Sequence, residues 1–248
     1  MTNIGVFDSG VGGLTVLSKL IDNKSANYFY FGDSLRAPYG NREKDQIIHF
    51  SDQIVDFLEN FDIDKYVIAC NTISVLATDY LSEKYNKEFI PITYAGIDIS
   101  KKFDGDYLIL ATKTTVDSHF YKNNLENGNQ KVHEVVGQGL VELIENDKIN
   151  SNQMDRLLTE HLSIANEKQI ENIILACTHF PIAKEAIKRN LGYEANIIDP
   201  ANGIIDKLEL EEKEENKIKI FMSEASCNTK KIIDRLIKKP YDLEIKEL

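Results

Sequence analysis

The feature that most constrains this chain is the alternation of short apolar runs, rich in β-branched residues, with longer segments of helical period. Eight runs have the composition of buried strands, at 3–7, 28–31, 66–69, 89–93, 107–110, 132–136, 172–176 and 195–198. Segments with apolar residues three or four positions apart lie between most of them, at 43–60, 74–85, 154–166, 181–190 and 201–208. This alternation predicts an α/β fold with doubly wound, largely parallel sheets.

The composition argues against two classes of binding partner. The 248 residues include 29 Lys and Arg against 40 Asp and Glu, a net charge of −11 that opposes general attraction to nucleic acid or to an anionic membrane. Residues 1–10 contain no basic segment followed by an apolar stretch, and no apolar run approaches the roughly 18 residues of a membrane span. We therefore expect a cytoplasmic protein with no nucleic-acid or membrane partner; the small-molecule substrate is implied by the resemblance described below. The oligomeric state stays open, with a homodimer as one option.

Small polar or nucleophilic residues follow several of the predicted strands, at the edge where parallel α/β sheets bind ligands. Two of these strand ends are alike, because VIACNT at 67–72 resembles ILACTH at 174–179, 107 residues further on. We interpret the chain as two halves of like design that contribute one cysteine each, Cys70 and Cys177. Chance similarity between two common strand–helix units is the alternative.

Cys70 and Cys177 are the candidate chemical groups. A thiol that follows a buried strand and precedes a helix is expected to have its pKa lowered from about 8.5 toward neutrality, so that it can act as a base or a nucleophile. A zinc site built from these two cysteines and His179 is an alternative, but Cys177 and His179 lack a common ligand spacing and no fourth ligand is evident. Cys227 has no partner motif and is interpreted as a small buried residue.

The first turn, DSGVGGLT at 8–15, follows a strand and opens a helix, where backbone N–H groups attract an anion. A dinucleotide is one candidate, because the sequence GVG matches the first two glycines of a Rossmann fingerprint and Asp33 ends the next strand. However, Thr15 stands at the third glycine position, and Asp8 would repel a pyrophosphate. A bound carboxylate or phosphate, or a tight turn in which Asp8 caps the helix, is the alternative interpretation.

Several motifs together resemble those of the glutamate racemases. They are GVFDSGVGGL at 5–14, YFGD at 30–33 with RAPYG at 36–40, CNT at 70–72 and CTHFP at 177–181. They occur in register along nearly the whole chain, which is identified by this resemblance as a member of the aspartate/glutamate racemase superfamily.

The resemblance implies both a fold and an activity. The fold has two pseudo-symmetric doubly wound lobes, residues 1–95 with 207–248 and residues 96–206, and the active site lies between them. The activity is that of an isomerase without cofactor or metal, which interconverts L- and D-glutamate and supplies D-glutamate for peptidoglycan.

The family's residue roles transfer to positions of this sequence that match its motifs. Inverting an α-carbon requires removal of a proton from one face and delivery of a proton to the other, hence two acid–base groups. By resemblance these are Cys70 and Cys177, with Asp8 and His179 assisting proton transfer on their respective sides. The substrate-contacting positions are Ser9, Pro38, Tyr39, Gly40, Asn71, Thr72, Thr112, Thr115 and Thr178. Glu142 is a further candidate for an assisting carboxylate.

Other interpretations remain open at this point. A related enzyme can use the same cysteines on aspartate, a hydantoin or maleate, and a catalytically silent protein can bind an amino acid. A pyridoxal-phosphate-dependent racemase would need a lysine, for which Lys113 is the only suggestive candidate. The acidic run at 209–215 is interpreted as a solvated helix end or loop.

Overall fold

The structure is a computed structural model that describes residues 2–210 and 216–248, apart from the side chain of Cys227. The predicted burial of Cys227 and most of the acidic run at 209–215 therefore lie outside the described residues.

Ten strands occur in the described part of the chain, and all of them pair in parallel. They are β1 (Asn3–Asp8), β2 (Asn27–Gly32), β3 (Lys65–Ile68), β4 (Glu88–Pro91), β5 (Tyr107–Ala111), β6 (Val132–Val136), β7 (Asn172–Ala176), β8 (Asn196–Ile198), β9 (Ile218–Met222) and β10 (Asp242–Ile245).

Helices connect most of these strands. They are α1 (Leu14–Asn23), α2 (Lys44–Leu58), α3 (Asn71–Tyr85), α4 (Ile92–Ser100), α5 (Lys113–Asp117), α6 (Phe120–Leu125), α7 (Leu140–Glu145), α8 (Asn152–His161), α9 (Ser163–Lys168), α10 (Lys184–Asn190), α11 (Ala201–Lys207) and α12 (Cys227–Leu236), with short 3-10 helices at Tyr39–Asn41, Glu59–Phe61 and Phe180–Ala183. Within residues 2–210 and 216–248, no helix has both the length and the apolar composition needed to span a bilayer.

The two sheets repeat one topology. The six-stranded sheet has the order β10-β9-β2-β1-β3-β4, and the four-stranded sheet has the order β6-β5-β7-β8, so the first four strands and the next four have the same spatial order. Cys70 follows β3 and Cys177 follows β7, which are equivalent strands of the two sheets. We call each sheet with its covering helices a lobe, the first being the six-stranded one. The predicted α/β class with two pseudo-symmetric parallel-sheet lobes is confirmed.

Each sheet is covered on both faces. Val6 lies in one apolar core of the first lobe with residues of α1, α11 and α12, while its neighbour Phe7 lies in a second core with residues of α2 and α3. In the second lobe, Leu110 and Ile109 divide between two cores in the same way. Successive side chains of a strand point to opposite faces, so this division gives the doubly wound arrangement that the apolar runs predict.

The chain passes between the lobes through α4 and α11, which pack against each other. Ala95 and Ile204 lie in a core of the first lobe, and Ile97 lies in a core of the second. A side chain at Gly203 would overlap the backbone of Ala95, so glycine permits the close approach of these helices. Beyond α11, β9 pairs with β2 and β10 pairs with β9. The lobe boundaries at 95/96 and 206/207 stay a prediction.

The structure corrects some predicted boundaries. The apolar run at 89–93 is divided between β4, which ends at Pro91, and α4, which begins at Ile92. Pro91 has no N–H to continue a strand ladder, and its extended backbone lets it stand at the N-cap of α4. The predicted helix at 154–166 is two helices, because α8 ends at His161 and α9 begins at Ser163.

Candidate active site

A cavity of about 420 Å³ lies between the carboxyl ends of the two sheets. The loops after β1, β2 and β3 reach it from the first lobe, and the loops after β5, β6 and β7 reach it from the second, through Ser9, Ser34, Cys70, Thr112, Gly137 and Cys177 respectively. This is the edge of a parallel sheet at which ligands are expected.

Most of the predicted site residues line this cavity. They are Cys70, Cys177 and His179, together with Ser9, Pro38, Tyr39, Gly40, Asn71, Thr72, Thr112 and Thr178. Two predicted residues, Asp8 and Thr115, stand behind this lining. Asp8 is fully buried and contacts Thr178, and the Thr115 hydroxyl lies 3.1 Å from the hydroxyl of Thr112. Both therefore contact a lining residue.

Cys70 occupies the N-cap position of α3, directly after β3. Its Sγ donates a hydrogen bond to Ser9 Oγ at 3.6 Å. Burial, reinforced by the negative charge of Asp8, raises the pKa of the Cys70 thiol to about 12. The expected lowering of this pKa toward neutrality is therefore wrong for Cys70. Burial destabilises the thiolate by more than the hydrogen bonds from the N–H of Ile73 and the hydroxyl of Ser9 stabilise it.

Cys177 has a cationic neighbour. Its Sγ lies 3.9 Å from Nδ1 of His179, and Nε2 of the same ring lies 2.8 Å from Oε1 of Glu145. Burial opposes the charged form of the ring, but the hydrogen bonds to Cys177 and Glu145 outweigh it and raise the pKa of His179 to about 10. Burial likewise opposes the charge of Glu145, yet the His179 contact prevails and lowers the pKa of Glu145. The contacts of His179 therefore favour the protonated form of its ring.

Asp8 fills the anion-attracting turn after β1. The N–H of Gly10 donates to its Oδ1 at 3.0 Å, and the hydroxyl of Thr178 donates to its Oδ2 at 3.2 Å. Burial raises the pKa of Asp8 to about 6, against the opposing attraction of charged His179. The N–H of Gly10 in this turn therefore already has an acceptor within the protein. Asp8 does not cap α1, whose N-cap residue is Gly13.

Hydrogen bonds join the lobes on two sides of the cavity. The hydroxyl of Thr15 donates to the carbonyl of Thr178 at 3.0 Å, and the hydroxyls of Thr72 and Thr112 lie 2.9 Å apart. A side-chain carbon at Gly12 would overlap the hydroxyl of Thr178, so only glycine lets the lobes approach this closely. The two lobes therefore meet over the cavity in a closed arrangement.

A buried carboxylate holds the loop after β2 against the cavity. Asp33 is fully buried and accepts hydrogen bonds from Nε of Arg36 and from the hydroxyl of Tyr39, each at 2.5 Å. The guanidinium of Arg36 also stacks on the ring of Phe50. Because Asp33 is fully buried, it is not accessible to the ribose of a dinucleotide.

The remaining candidates are placed as follows. Lys113 lines the cavity, but its ammonium group pairs with Asp117. Glu142 also lines the cavity, whereas Glu145, three residues later on α7, is the carboxylate that contacts His179. Sequence reasoning missed Glu145, which lies in no recognisable motif. Among residues 2–210 and 216–248 no group of three or more His, Cys, Asp or Glu can hold a metal ion, including the set considered for zinc.

Residues 16–207 match the family model described as Asp/Glu/Hydantoin racemase. The chain belongs to this family. It is therefore an isomerase of the amino-acid racemase class, and the resemblance seen in its motifs is confirmed.

Sequence alignments with relatives extend over most of the chain. A glutamate racemase of Persephonella marina is 33% identical over 254 residues, 99% of this chain and 97% of the relative. Glutamate racemase 3 of Caldanaerobacter subterraneus subsp. tengcongensis is 38% identical over 205 residues, 80% of this chain and 74% of the relative. Among solved structures, the glutamate racemase of Francisella tularensis in complex with D-glutamate is 28% identical, with a TM-score of 0.90 over 99% of this chain and 97% of that one.

Proposed function

We propose that this protein interconverts L- and D-glutamate by proton transfer between two cysteines, without a cofactor. The observation that carries the proposal is the placement of Cys70 and Cys177, which follow equivalent strands of two like sheets and line one cavity. Relatives named glutamate racemase, and a similar structure that binds D-glutamate, support glutamate as the substrate.

The two cysteines are assigned different starting states. We assign the base to Cys177, whose Sγ lies 3.9 Å from Nδ1 of His179. Burial and the charge of Asp8 raise the pKa of Cys70 to about 12, which favours the thiol. Cys177 then removes the α-proton of L-glutamate, and Cys70 delivers a proton to the opposite face. The products are D-glutamate, a Cys177 thiol and a Cys70 thiolate, from which the reverse reaction begins.

Asp8 and His179 assist on their own sides of the substrate. Asp8, with its pKa raised to about 6, can exchange a proton near neutral pH, and its charge acts on Cys70. His179 stabilises the thiolate of Cys177 and is oriented by Glu145. The charge of Asp8 thus makes the Cys70 thiolate a stronger base, and His179 assists Cys177 through a hydrogen bond.

Neutral donors hold the substrate carboxylates. Lys113 and His179 are the cationic residues of the cavity lining in the described structure, and each already has an acidic partner. We assign the substrate's carboxylates to the side chains of Ser9, Asn71, Thr72 and Thr112 and to the backbone N–H of Thr178, whose hydroxyl donates to Asp8. Thr115 supports Thr112, and the Pro38-Tyr39-Gly40 segment closes the cavity beside them. Hydrogen bonds that strengthen as charge develops stabilise the carbanion in such a site.

We place the reaction in the cytoplasm, where its D-glutamate would serve peptidoglycan synthesis, cell wall biogenesis and cell shape. These assignments rest on the family resemblance, and a homodimer stays a prediction.

The decisive experiment follows L-glutamate in deuterated water with protein dialysed against a chelator. We expect solvent deuterium at the α-carbon and loss of optical activity, with the same near-equimolar mixture from either enantiomer, because enantiomers have equal free energy in water. Parallel reactions with aspartate and alanine test the substrate. Exchange of aspartate but not glutamate would overturn the substrate assignment, and activity that requires added zinc would overturn the cofactor-free mechanism.

A further inference from the structure

One hydrogen bond between the lobes ends on a residue of the cavity wall. The hydroxyl of Tyr121, on α6 of the second lobe, donates to Oδ1 of Asn71 at 2.8 Å. Asn71 begins α3 of the first lobe, directly after Cys70, and it lines the cavity. Both side chains are buried, with 0% and 2% of their surfaces exposed. The other end of the amide, Nδ2, is buried without a hydrogen-bond partner among the described residues.

In the structure this contact leaves the nitrogen end of the amide for a ligand. A side-chain amide has an oxygen that accepts and a nitrogen that donates, and the two ends have nearly the same shape. Because Tyr121 donates to the oxygen, the nitrogen is the end left for a ligand. A buried donor without a partner destabilises the protein until an acceptor reaches it. A carboxylate oxygen is an acceptor without a hydrogen, so it matches the nitrogen and would be repelled by the amide oxygen.

We propose that Tyr121 is a positioning residue that holds the Asn71 amide with its nitrogen toward a carboxylate oxygen of the substrate. This inference rests on the proposed function and adds a residue that the motifs do not include. Tyr121 comes from the opposite lobe, so the amide is oriented when the lobes are together. The substrate carboxylate therefore meets a prepared donor in the closed enzyme.

The surrounding helices leave room for this contact. Gly96 on α4 lies beside the hydroxyl of Tyr121, and a Cβ at this position would lie 2.9 Å from that oxygen. A larger residue at position 96 would displace the hydroxyl from Asn71. The glycine therefore keeps the approach open for a side chain that crosses between the lobes.

The test compares Tyr121→Phe with Tyr107→Phe. Tyr107 is another fully buried tyrosine of the second lobe, and its hydroxyl donates to the backbone carbonyls of Ser100 and Phe103. We expect Tyr121→Phe to raise KM for glutamate about three- to tenfold, the factor for one hydrogen bond, with kcat within about twofold. Tyr107→Phe is expected to lower thermal stability without changing KM.

A double-mutant cycle with Asn71→Ala separates positioning from a purely structural role. If Tyr121 acts through the Asn71 amide, Tyr121→Phe raises KM in the wild-type background and has no further effect in Asn71→Ala. An undiminished effect in Asn71→Ala, an unchanged KM in Tyr121→Phe, or an equal rise in Tyr107→Phe would overturn the inference. Calorimetric binding of D-glutamate gives the same comparison where turnover is too slow.

If the proposed function is wrong, the experiment gives a result that differs from failure of the Tyr121 inference. In that case wild-type protein does not exchange the α-proton of glutamate, whatever the variants do. The same cycle is then measured with the acidic amino acid that wild-type protein does exchange, and the same coupling is expected because a carboxylate is still the group recognised.

Discussion

Asp8 is expected to destabilise the folded protein at neutral pH, so that Asp8→Asn raises the free energy of unfolding. Burial raises the pKa of Asp8 from 3.8 to about 6. A group with a higher pKa in the folded than in the unfolded state holds its proton more tightly when folded. The contribution of Asp8 to stability is therefore most favourable below about pH 3.8, falls as the pH rises toward 6, and stays lower above it.

The magnitude follows from the two pKa values. A change from 3.8 to about 6 corresponds to about 3 kcal/mol at pH 8, and to about 1 kcal/mol at pH 4.5, where the folded protein keeps most of this proton. Asparagine has the same shape as aspartate but carries no charge. Its amide oxygen can still accept from the N–H of Gly10, and its amide nitrogen can donate to the hydroxyl oxygen of Thr178. At about 2–4 °C per kcal/mol, the melting temperature should rise by up to about 12 °C at pH 8.

The measurement is urea and thermal unfolding of wild type and Asp8→Asn at both pH values. Asp22→Asn is the matched control, because Asp22 is exposed on α1 and its variant should stay within about 0.5 kcal/mol of wild type. The more stable Asp8→Asn protein should lose racemase activity. A gain of equal size at pH 4.5 and pH 8, or no gain at pH 8, would refute the argument that an ionised buried carboxyl causes the cost.

Two further predictions concern the acid–base groups. Cys70→Ser and Cys177→Ser should each slow racemisation at least about 100-fold, and the double variant should be little slower than either. Cys227→Ser should keep most activity at matched thermal stability. An active Cys70→Ser or Cys177→Ser would refute the two-base mechanism. Glu145→Gln removes the charge that supports the raised pKa of His179, so the alkaline limb of the kcat/KM profile should move to lower pH. Glu142→Gln should move it far less, and equal shifts would contradict the assignment of Glu145.

Much of the fold could be predicted because strand and helix periods are local properties of the sequence. The run at 172–176 coincides with β7, whose side chains are all buried. Strands β9 and β10 are not predicted from the pattern. Lys219 interrupts the apolar run of β9, and most of β10 is exposed at the edge of its sheet. Strand β9 pairs with β2, which is distant in the sequence, and β10 pairs with β9, so their places in the sheet depend on tertiary contacts.

The site could be predicted as far as its residues lie in short segments after strands. Cys70 and Asn71 are adjacent in such a segment, and both line the cavity. Glu145 is different, because it ends a six-residue helix and reaches His179 only through packing of the second lobe. The pKa of Cys70 also depends on tertiary structure, since burial in the core of the first lobe and the charge of Asp8, at the end of β1, raise it.

The two lobes are alike in topology and unlike in electrostatics, and the proposed two-cysteine racemisation requires both properties. Equivalent strands place one sulfur in each lobe at a shared cavity, which is the arrangement that the proposed two-base mechanism needs. Two thiols would lack a base and two thiolates would lack an acid, so the protein must treat its cysteines differently. It does so by placing His179, whose contacts favour its protonated form, beside Cys177 and the buried carboxyl of Asp8 near Cys70. Thr178 donates to Asp8 across the lobes, so this difference in charge is established where the lobes meet.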